Sequence, residues 1–248
     1  MSNHVKGGSG VPREVVSPIG LVGGEEFRKP AEAFDRLLLS FAPRTPASVA
    51  ILPTAAALDE NPYLAAAHGV KHFKRLGAEP YPVNIHDAAG ANDDKLVEEL
   101  RRADVVYFSG GSPSHLLDSL KGSAAWSCLI DLVQRGVILA GSSAGAMVLG
   151  ERMLYRGQDL DGLALLPGIV VLPHFERSMP ERVQRVRSSL PPDLTLLGLA
   201  GATGCVLHAG EWLVEGPGQV SVITASSTEV YSTGGRFSLP GVTAPSTL

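Results

Sequence analysis

The chain has few cysteines and no excess of positive charge, and both absences exclude classes of protein. Only two of its 248 residues are cysteines, Cys128 and Cys205, which excludes a disulfide framework or a cysteine-based metal site. We expect both to be small buried side chains rather than reactive thiols. The formal net charge of −4 argues against a nucleic acid or an anionic membrane surface as a partner.

Long hydrophobic runs are also missing. No apolar stretch is long enough to cross a bilayer, and residues 1–10 are polar and glycine-rich, unlike a secretory signal. We therefore expect a cytoplasmic protein with no membrane partner. Hydrophobic residues still make up 44% of the chain, enough for a sizeable core. The expected organisation is one domain over residues 13–240, with frayed ends at 1–12 and 241–248.

Short apolar runs alternate with segments of helical spacing through the first 140 residues. Continuous apolar strands between helices predict a mostly parallel sheet with helices on both faces, which is an α/β fold. Between residues 196 and 231 the pattern changes to short strands with glycine turns, which predicts extra C-terminal strands. The predicted strands of the parallel sheet are 18–22, 48–52, 79–85, 104–108 and 136–140.

The most informative motif is Gly141-Ser142-Ser143-Ala144-Gly145, a G-x-S-x-G pattern between two apolar runs. It predicts a strand, a sharp turn and a helix, with the Ser143 hydroxyl raised above the strand end. The two glycines permit a backbone too tight for larger side chains. The pattern predicts Ser143 as the nucleophile of a serine hydrolase and the Ala144 N–H as one oxyanion donor.

A serine nucleophile needs a base, which is usually a histidine. Of seven histidines, His174 fits best because it follows the apolar run 168–172 and therefore lies at a strand end, as Ser143 does. The Gly110-Gly111 turn also follows a strand, and we expect its Gly111 N–H to be the second oxyanion donor. Ligands of open parallel sheets bind beyond the carboxyl ends of the strands, so the site is expected there.

Two other histidines, His68 and His72, lie four residues apart on one predicted helix. No glutamate follows His68, which excludes the metalloprotease motif that this spacing otherwise suggests. We expect both on a solvated helix face, and we expect no metal site.

These motifs, in this order, resemble the serine peptidase family that contains aspartyl dipeptidase (peptidase E) and cyanophycinase. The fold of that family is like that of class I glutamine amidotransferases. The resemblance covers residues 18–223, most of the chain. It rests on Gly23-Gly24 after the first strand, Pro53-Thr54-Ala55 after the second, Gly110-Gly111, residues 141–146, and residues 162–175.

The resemblance implies that Ser143 is the nucleophile and His174 the base, with the Gly110-Gly111 turn and Ala144 forming the oxyanion hole. It also implies cofactor-free hydrolysis of a small peptide whose first residue is acidic. Binding such a residue requires a cation, and arginine pairs with carboxylates through two parallel hydrogen bonds. Arg182 falls near the arginine of peptidase E that meets the substrate carboxylate.

The chain departs from the family at the third triad member. Many members have a Gly-Ile-Asp-Glu run near residues 198–203, which this chain lacks. The carboxylate must then come from elsewhere. Asp159 or Asp161 would match cyanophycinase-like members, and Glu176 or Glu181 would be closer to peptidase E. We favour Asp159, with Glu181 as the alternative.

The residues before His174 bear on the substrate. Cyanophycinase-like members typically have Asp-Gln there, whereas this chain has Leu172-Pro173, which is closer to peptidase E. We therefore expect hydrolysis of Asp-X dipeptides through an acyl-enzyme. A β-aspartyl peptide hydrolase like cyanophycinase, or a catalytically inactive binding member of the same fold, are the alternatives. The expected partner is the small peptide substrate, and the sequence leaves open whether the chain forms a homo-oligomer.

Overall fold

The structure is a computed structural model, and it describes residues 17–59, 61 and 63–239. Its strands are β1 (Ile19–Val22), β2 (Ser48–Leu52), β3 (Glu79–Pro82), β4 (Val105–Phe108), β5 (Ile138–Ser142), β6 (Gly150–Tyr155), β7 (Gln158–Asp161), β8 (Leu166–Leu172), β9 (Thr195–Leu199), β10 (Gly204–His208), β11 (Glu211–Glu215), β12 (Val220–Ile223), β13 (Thr228–Tyr231) and β14 (Arg236–Phe237). Its α-helices are α1 (Glu32–Ser40), α2 (Leu64–Arg75), α3 (Asp94–Leu100), α4 (Pro113–Leu120), α5 (Ala124–Gln134), α6 (Ala144–Leu149) and α7 (Pro180–Ser189). None of these helices has the length and apolar character needed to cross a membrane. The predicted frayed ends at 1–12 and 241–248 lie outside the described residues.

The larger sheet has eight strands in the order β14-β11-β10-β1-β5-β4-β2-β3. The five strands from β1 to β3 in this order pair in parallel. Strands β10, β11 and β14 extend the sheet in antiparallel pairing. The prediction of an α/β fold with a mostly parallel sheet and extra C-terminal strands is confirmed.

A second sheet of six strands has the order β13-β12-β9-β8-β6-β7. Strands β6, β8 and β9 pair in parallel, and the others pair in antiparallel fashion. The sequence pattern did not predict a second sheet. The reason is that β6 and β7 carry few buried side chains, and a strand's choice of sheet depends on partners far away in the chain.

Side chains of the larger sheet are buried on both faces. Along β4, Val106 and Phe108 join the cluster that includes helices α4 and α5. Val105 and Tyr107 alternate with them and pack in the opposite cluster with helices α1 and α2. This arrangement explains why the parallel strands are continuous apolar runs in the sequence, and it confirms helices on both faces.

The predicted solvated helix face is wrong for His72 and right for His68. His72 is 1% exposed, and its Nε2 lies 2.7 Å from Oδ2 of Asp35 in helix α1. Burial raises the pKa of the Asp35 carboxyl, and the hydrogen bond from His72 opposes that shift. The helical spacing of the two histidines gave no sign of this pair, because the carboxylate comes from another helix.

The two cysteines are buried and unpaired, as expected. Burial raises the pKa of both thiols, which keeps them protonated and unreactive. Cys128 of helix α5 and Cys205 of strand β10 both lie in the largest hydrophobic cluster.

Candidate active site

The carboxyl ends of three neighbouring strands meet at one edge of the larger sheet. Val22 at the end of β1 is in register with Ser142 of β5, and Phe108 of β4 is in register with Gly141. The loops that follow β1, β4 and β5 therefore lie side by side. This is the crevice that the sequence predicted from the coincidence of strand ends.

Ser143 occupies a sharp turn between β5 and helix α6. Its backbone angles are φ 47° and ψ −106°, a combination that residues with a Cβ rarely adopt. Its N–H donates to the Val22 carbonyl at 2.9 Å, and its carbonyl accepts from Met147 N–H at 3.0 Å. The strand, turn and helix have the geometry expected of a nucleophile elbow.

The glycines of the motif are required by close backbone contacts. A Cβ at Gly141 would lie 2.3 Å from the carbonyl carbon of Gly145. A Cβ at Gly145 would lie 2.7 Å from the carbonyl oxygen of Phe108. No side chain fits at either position without moving the backbone.

His174 follows β8 of the second sheet and reaches the serine of the first sheet. Its Nε2 lies 3.2 Å from Ser143 Oγ, which is hydrogen-bond distance. Its backbone is left-handed, with φ 50°, and its N–H donates to the Gly23 carbonyl at 3.0 Å. The structure thus brings together the two side chains that the sequence paired, although 31 positions separate them.

The imidazole of His174 is held by packing and by its backbone. Gly24, with φ +128°, lies so close that a Cβ there would be 2.2 Å from Cε1 of the ring. The other ring nitrogen, Nδ1, is buried and has no hydrogen-bond partner among the described residues. The ring is therefore placed by the Gly23-Gly24 segment rather than by a carboxylate.

Asp159 does not contact His174 Nδ1. Its carboxylate accepts from Nε of Arg152 at 2.9 Å, across the hairpin formed by β6 and β7. Asp161 of the same strand also pairs with Arg152. Both carboxylates thus form ion pairs with Arg152 on the hairpin rather than hydrogen bonds with His174.

Neither of the two glutamates considered for the same role forms a hydrogen bond with Nδ1 of His174. Glu176 accepts from the Gly201 N–H at 2.8 Å, in the region where relatives were expected to have their acidic run. Glu181 is exposed in the first turn of helix α7. The structure brings no predicted carboxylate to Nδ1 of His174, so the third triad member is unassigned.

The predicted oxyanion donors differ in availability. The Gly110 N–H donates to Oε1 of Glu26 at 2.6 Å and is therefore engaged. The N–H groups of Gly111 and Ala144 donate to no described residue, and Ala144 is the first residue of helix α6, whose N–H has no partner within the helix. Gly111 has φ +137°, and a Cβ there would lie 2.2 Å from the Ala55 carbonyl oxygen, so this turn requires glycine.

A cavity of about 730 Å³ adjoins His174. Arg182 of helix α7 lines it, together with Arg177 and Asp159. Arg177 lies within ion-pair distance of Glu176 at 3.3 Å, whereas Arg182 makes no ion pair with a described carboxylate. Arg182 is therefore the guanidinium of helix α7 that lines the cavity and pairs with no described carboxylate.

Glu26 is a residue of the site for which the sequence pattern indicated no role. Its Oε1 accepts from Gly110 N–H, and its Oε2 accepts from Ser142 Oγ at 2.7 Å. A signal was available, because Glu26 follows the Gly23-Gly24 turn at the end of the first strand. An acidic residue at a strand end in the predicted crevice is a candidate for a role in the site.

A serine on a strained strand-to-helix turn, with a histidine within hydrogen-bond distance, is an arrangement typical of α/β hydrolases. The sequence profile described as Peptidase family S51 matches residues 20–211. The chain belongs to this family, and the resemblance stated from the sequence is confirmed. Family membership supports a peptidase.

Individual relatives include both types of protein named from the sequence. The chain is 25% identical to "Cyanophycinase" of Nostoc sp. (strain PCC 7120) over 228 residues, which cover 86% of this chain and 75% of the relative. It is 29% identical to "Peptidase E" of Escherichia coli O1:K1 over 157 residues, covering 57% of this chain and 68% of the relative.

Solved structures show the same fold. The crystal structure of a peptidase from an acI-B1 actinobacterium matches with a TM-score of 0.81 and 27% identity, covering 90% of this chain and 97% of that one. A putative peptidase E from Listeria monocytogenes EGD-e matches with a TM-score of 0.62, covering 81% of this chain and 98% of the other. At 19% identity, the second match concerns the fold alone.

Proposed function

We propose that this chain is a serine peptidase that hydrolyses small peptides with an N-terminal aspartate through an acyl-enzyme. The observation that carries the proposal is the 3.2 Å distance between Ser143 Oγ and His174 Nε2, on a turn that raises the hydroxyl into the crevice. Membership of Peptidase family S51 supports a peptidase reaction. Arg182, which pairs with no described carboxylate beside the site, supports an acidic substrate.

The reaction would proceed in two stages. His174 Nε2 takes the proton of Ser143 as Oγ bonds to the scissile carbonyl carbon, and the oxyanion accepts from the N–H groups of Gly111 and Ala144. The C–N bond then breaks, and the proton on Nε2 passes to the leaving amine. In the second stage, water attacks the ester, His174 removes its proton, and the free acid leaves as Ser143 regains its hydrogen.

Arg182→Ala should raise KM for Asp-Leu by about 10- to 100-fold, the effect of losing one hydrogen bond between charged groups. We expect kcat to change much less, because Arg182 lines the adjoining cavity, whose lining does not include Ser143. Arg185→Ala is the matched control, since it removes the same charge from the same helix at an exposed position that does not line the cavity. Equal kinetics for the two variants would move acid recognition to another residue.

A β-aspartyl substrate is the second candidate, and the long match to the Nostoc cyanophycinase favours it. In such a substrate the isopeptide bond forms through the side-chain carboxyl of aspartate, so the reacting carbonyl is displaced relative to the α-carboxyl. We expect Asp-Leu to give a higher kcat/KM than β-Asp-Arg. The reverse order would assign the chain to β-aspartyl hydrolysis by the same serine.

A binding protein without activity is the third candidate. Nδ1 of His174, which has no hydrogen-bond partner among the described residues, favours it. In the tautomer that the mechanism needs, Nδ1 carries the proton, and a carboxylate acceptor normally stabilises the resulting imidazolium. Labelling of Ser143 by a fluorophosphonate would reject this candidate. Absence of both labelling and turnover in a folded sample would support it.

A further inference from the structure

The carboxylate of Glu26 connects the two turns that carry the proposed oxyanion donors. We propose that Glu26 is a positioning residue that sets the separation of the Gly111 and Ala144 N–H groups. This inference rests on the proposed serine hydrolysis at the same site. One carboxylate oxygen accepts from Gly110 N–H at 2.6 Å and the other from Ser142 Oγ at 2.7 Å.

Each partner of Glu26 lies next to a donor or next to the nucleophile. Gly110 immediately precedes Gly111, so a bond to its N–H fixes the peptide plane at the start of the turn. Ser142 immediately precedes Ser143 and is fully buried at the end of β5. A shift in either contact therefore moves an oxyanion donor relative to the nucleophile.

The backbone does not connect the two turns by itself. Pairing between β4 and β5 stops before either turn, and no backbone hydrogen bond between described residues joins them. The Gly110-Gly111 turn is hydrogen-bonded to the segment after β2, where Ser112 N–H donates to the Ala55 carbonyl at 2.7 Å. The turn at Ser143 is hydrogen-bonded to β1, where Ser143 N–H donates to the Val22 carbonyl at 2.9 Å. Glu26 supplies the hydrogen-bonded link between the two turns that backbone pairing does not provide.

Glu26 is itself held in place by its neighbours. Glu25 and Phe27 on either side have left-handed backbones, with φ 59° and 62°. The Phe27 ring packs against Tyr107 and Phe73, with centroid distances of 5.3 and 6.2 Å. Two left-handed residues persist only where surrounding contacts hold them, so this loop presents the carboxylate in one orientation.

Two substitutions separate the hydrogen bonds of Glu26 from its charge. Glu26→Ala removes both acceptors. Glu26→Gln keeps the shape, because its Oε1 can accept from Gly110 N–H while its Nε2 donates to the Ser142 hydroxyl oxygen. Glu25→Ala is the matched control, because Glu25 belongs to the same loop but pairs with the side chains of Arg28 and Arg177.

The measurements are the rate of fluorophosphonate labelling of Ser143, kcat and KM for Asp-Leu, and amide hydrogen exchange of residues 109–112. For Glu26→Ala we expect labelling and kcat to fall about 100-fold, with KM within about threefold, as for a displaced oxyanion donor. Exchange in residues 109–112 should become faster. Glu26→Gln should keep at least about a third of the wild-type kcat, and Glu25→Ala should stay within about threefold of wild type.

Other outcomes would overturn the inference. Labelling of Glu26→Ala at the wild-type rate would remove the positioning role. An equal fall in kcat in the Gln and Ala variants, with a raised KM, would show instead that the charge of Glu26 binds a substrate cation.

If the wild type is labelled but does not cleave Asp-Leu, the proposed substrate fails while labelling still tests Glu26. If the wild type is not labelled, unchanged hydrogen exchange in Glu26→Ala overturns the inference, and faster exchange supports the connection between the turns.

Discussion

Replacement of Ser143 by alanine is expected to lower kcat for Asp-Leu by on the order of 10⁵- to 10⁶-fold, the size of effect seen when a serine nucleophile is removed. In the proposed mechanism this hydroxyl forms the acyl-enzyme, and the adjacent serine is not placed to replace it. Ser142 is the adjacent serine, but its hydroxyl is buried and donates to Glu26. Labelling by a fluorophosphonate should be lost together with turnover.

The folded state should tolerate this change. Serine and alanine both carry a Cβ, so the unusual φ of 47° is strained equally in the two proteins. The Oγ of Ser143 makes its hydrogen bond to a partly exposed histidine rather than to a core residue. We expect the melting temperature of Ser143→Ala to stay within about 4 °C of wild type, which corresponds to about 1 kcal/mol in a chain of this size. Normal turnover by a folded Ser143→Ala protein would remove this residue from the mechanism.

Replacement of Gly24 by alanine is the second change with a large expected effect. A Cβ at this position would lie 2.2 Å from Cε1 and 2.7 Å from Nε2 of His174, much closer than atoms approach in proteins. The ring must then move away from Ser143. Because a shift of about 1 Å in a reacting group can cost about 100-fold in rate, we expect kcat to fall by at least about 100-fold.

Gly136→Ala is the matched control for Gly24→Ala. Gly136 also has a positive φ, +100°, but a Cβ there would meet no atom within 4 Å. Both variants should lose about 1–3 kcal/mol of stability, because alanine is strained at a positive φ. Only Gly24→Ala should lose fluorophosphonate labelling and turnover. Equal activity of the two variants would show that packing against Gly24 does not set the position of His174.

The dependence of His174 on Gly24 has a physical origin in this chain. In a typical triad a carboxylate orients the imidazole and stabilises its charge. Here Nδ1 is buried without a partner among the described residues, while the backbone N–H of His174 donates to Gly23. Orientation therefore depends on steric contact and on the main chain, which makes the site sensitive to a single methyl group.

The strand bounds show where sequence patterns are reliable. Residues 48–52 were predicted as a strand and form β2 with the same bounds, because a continuous apolar run has one stable position in a parallel sheet. The prediction for β3 extended to residue 85, but the strand ends at Pro82. β3 is the edge strand of its sheet and contains prolines, whose missing N–H groups are tolerated only at an edge. The prolines themselves indicate an edge strand, but the residue at which pairing with β2 stops is a tertiary property that the pattern could not show.

The composition of the elbow makes the proposed nucleophile recognisable in the sequence alone. A Cβ at Gly141 or Gly145 would lie 2.3 to 2.7 Å from backbone atoms, so the turn requires small residues in consecutive positions that are visible in the sequence. The parallel sheet then fixes the edge at which such a turn must lie. Ser143, its helix and the general place of the site are therefore properties of local sequence.

Long-range packing decided the rest of the site. Glu26 binds atoms of Gly110 and Ser142, 84 and 116 positions away, and nothing in its own neighbourhood specifies those partners. Of the predicted carboxylates, Asp159 pairs with Arg152 and Glu176 accepts from the Gly201 N–H, because the hairpin and the loop after β9 bring these partners to them. Side-chain contacts between distant segments depend on how two sheets pack, and that packing is set by the whole chain rather than by any short pattern.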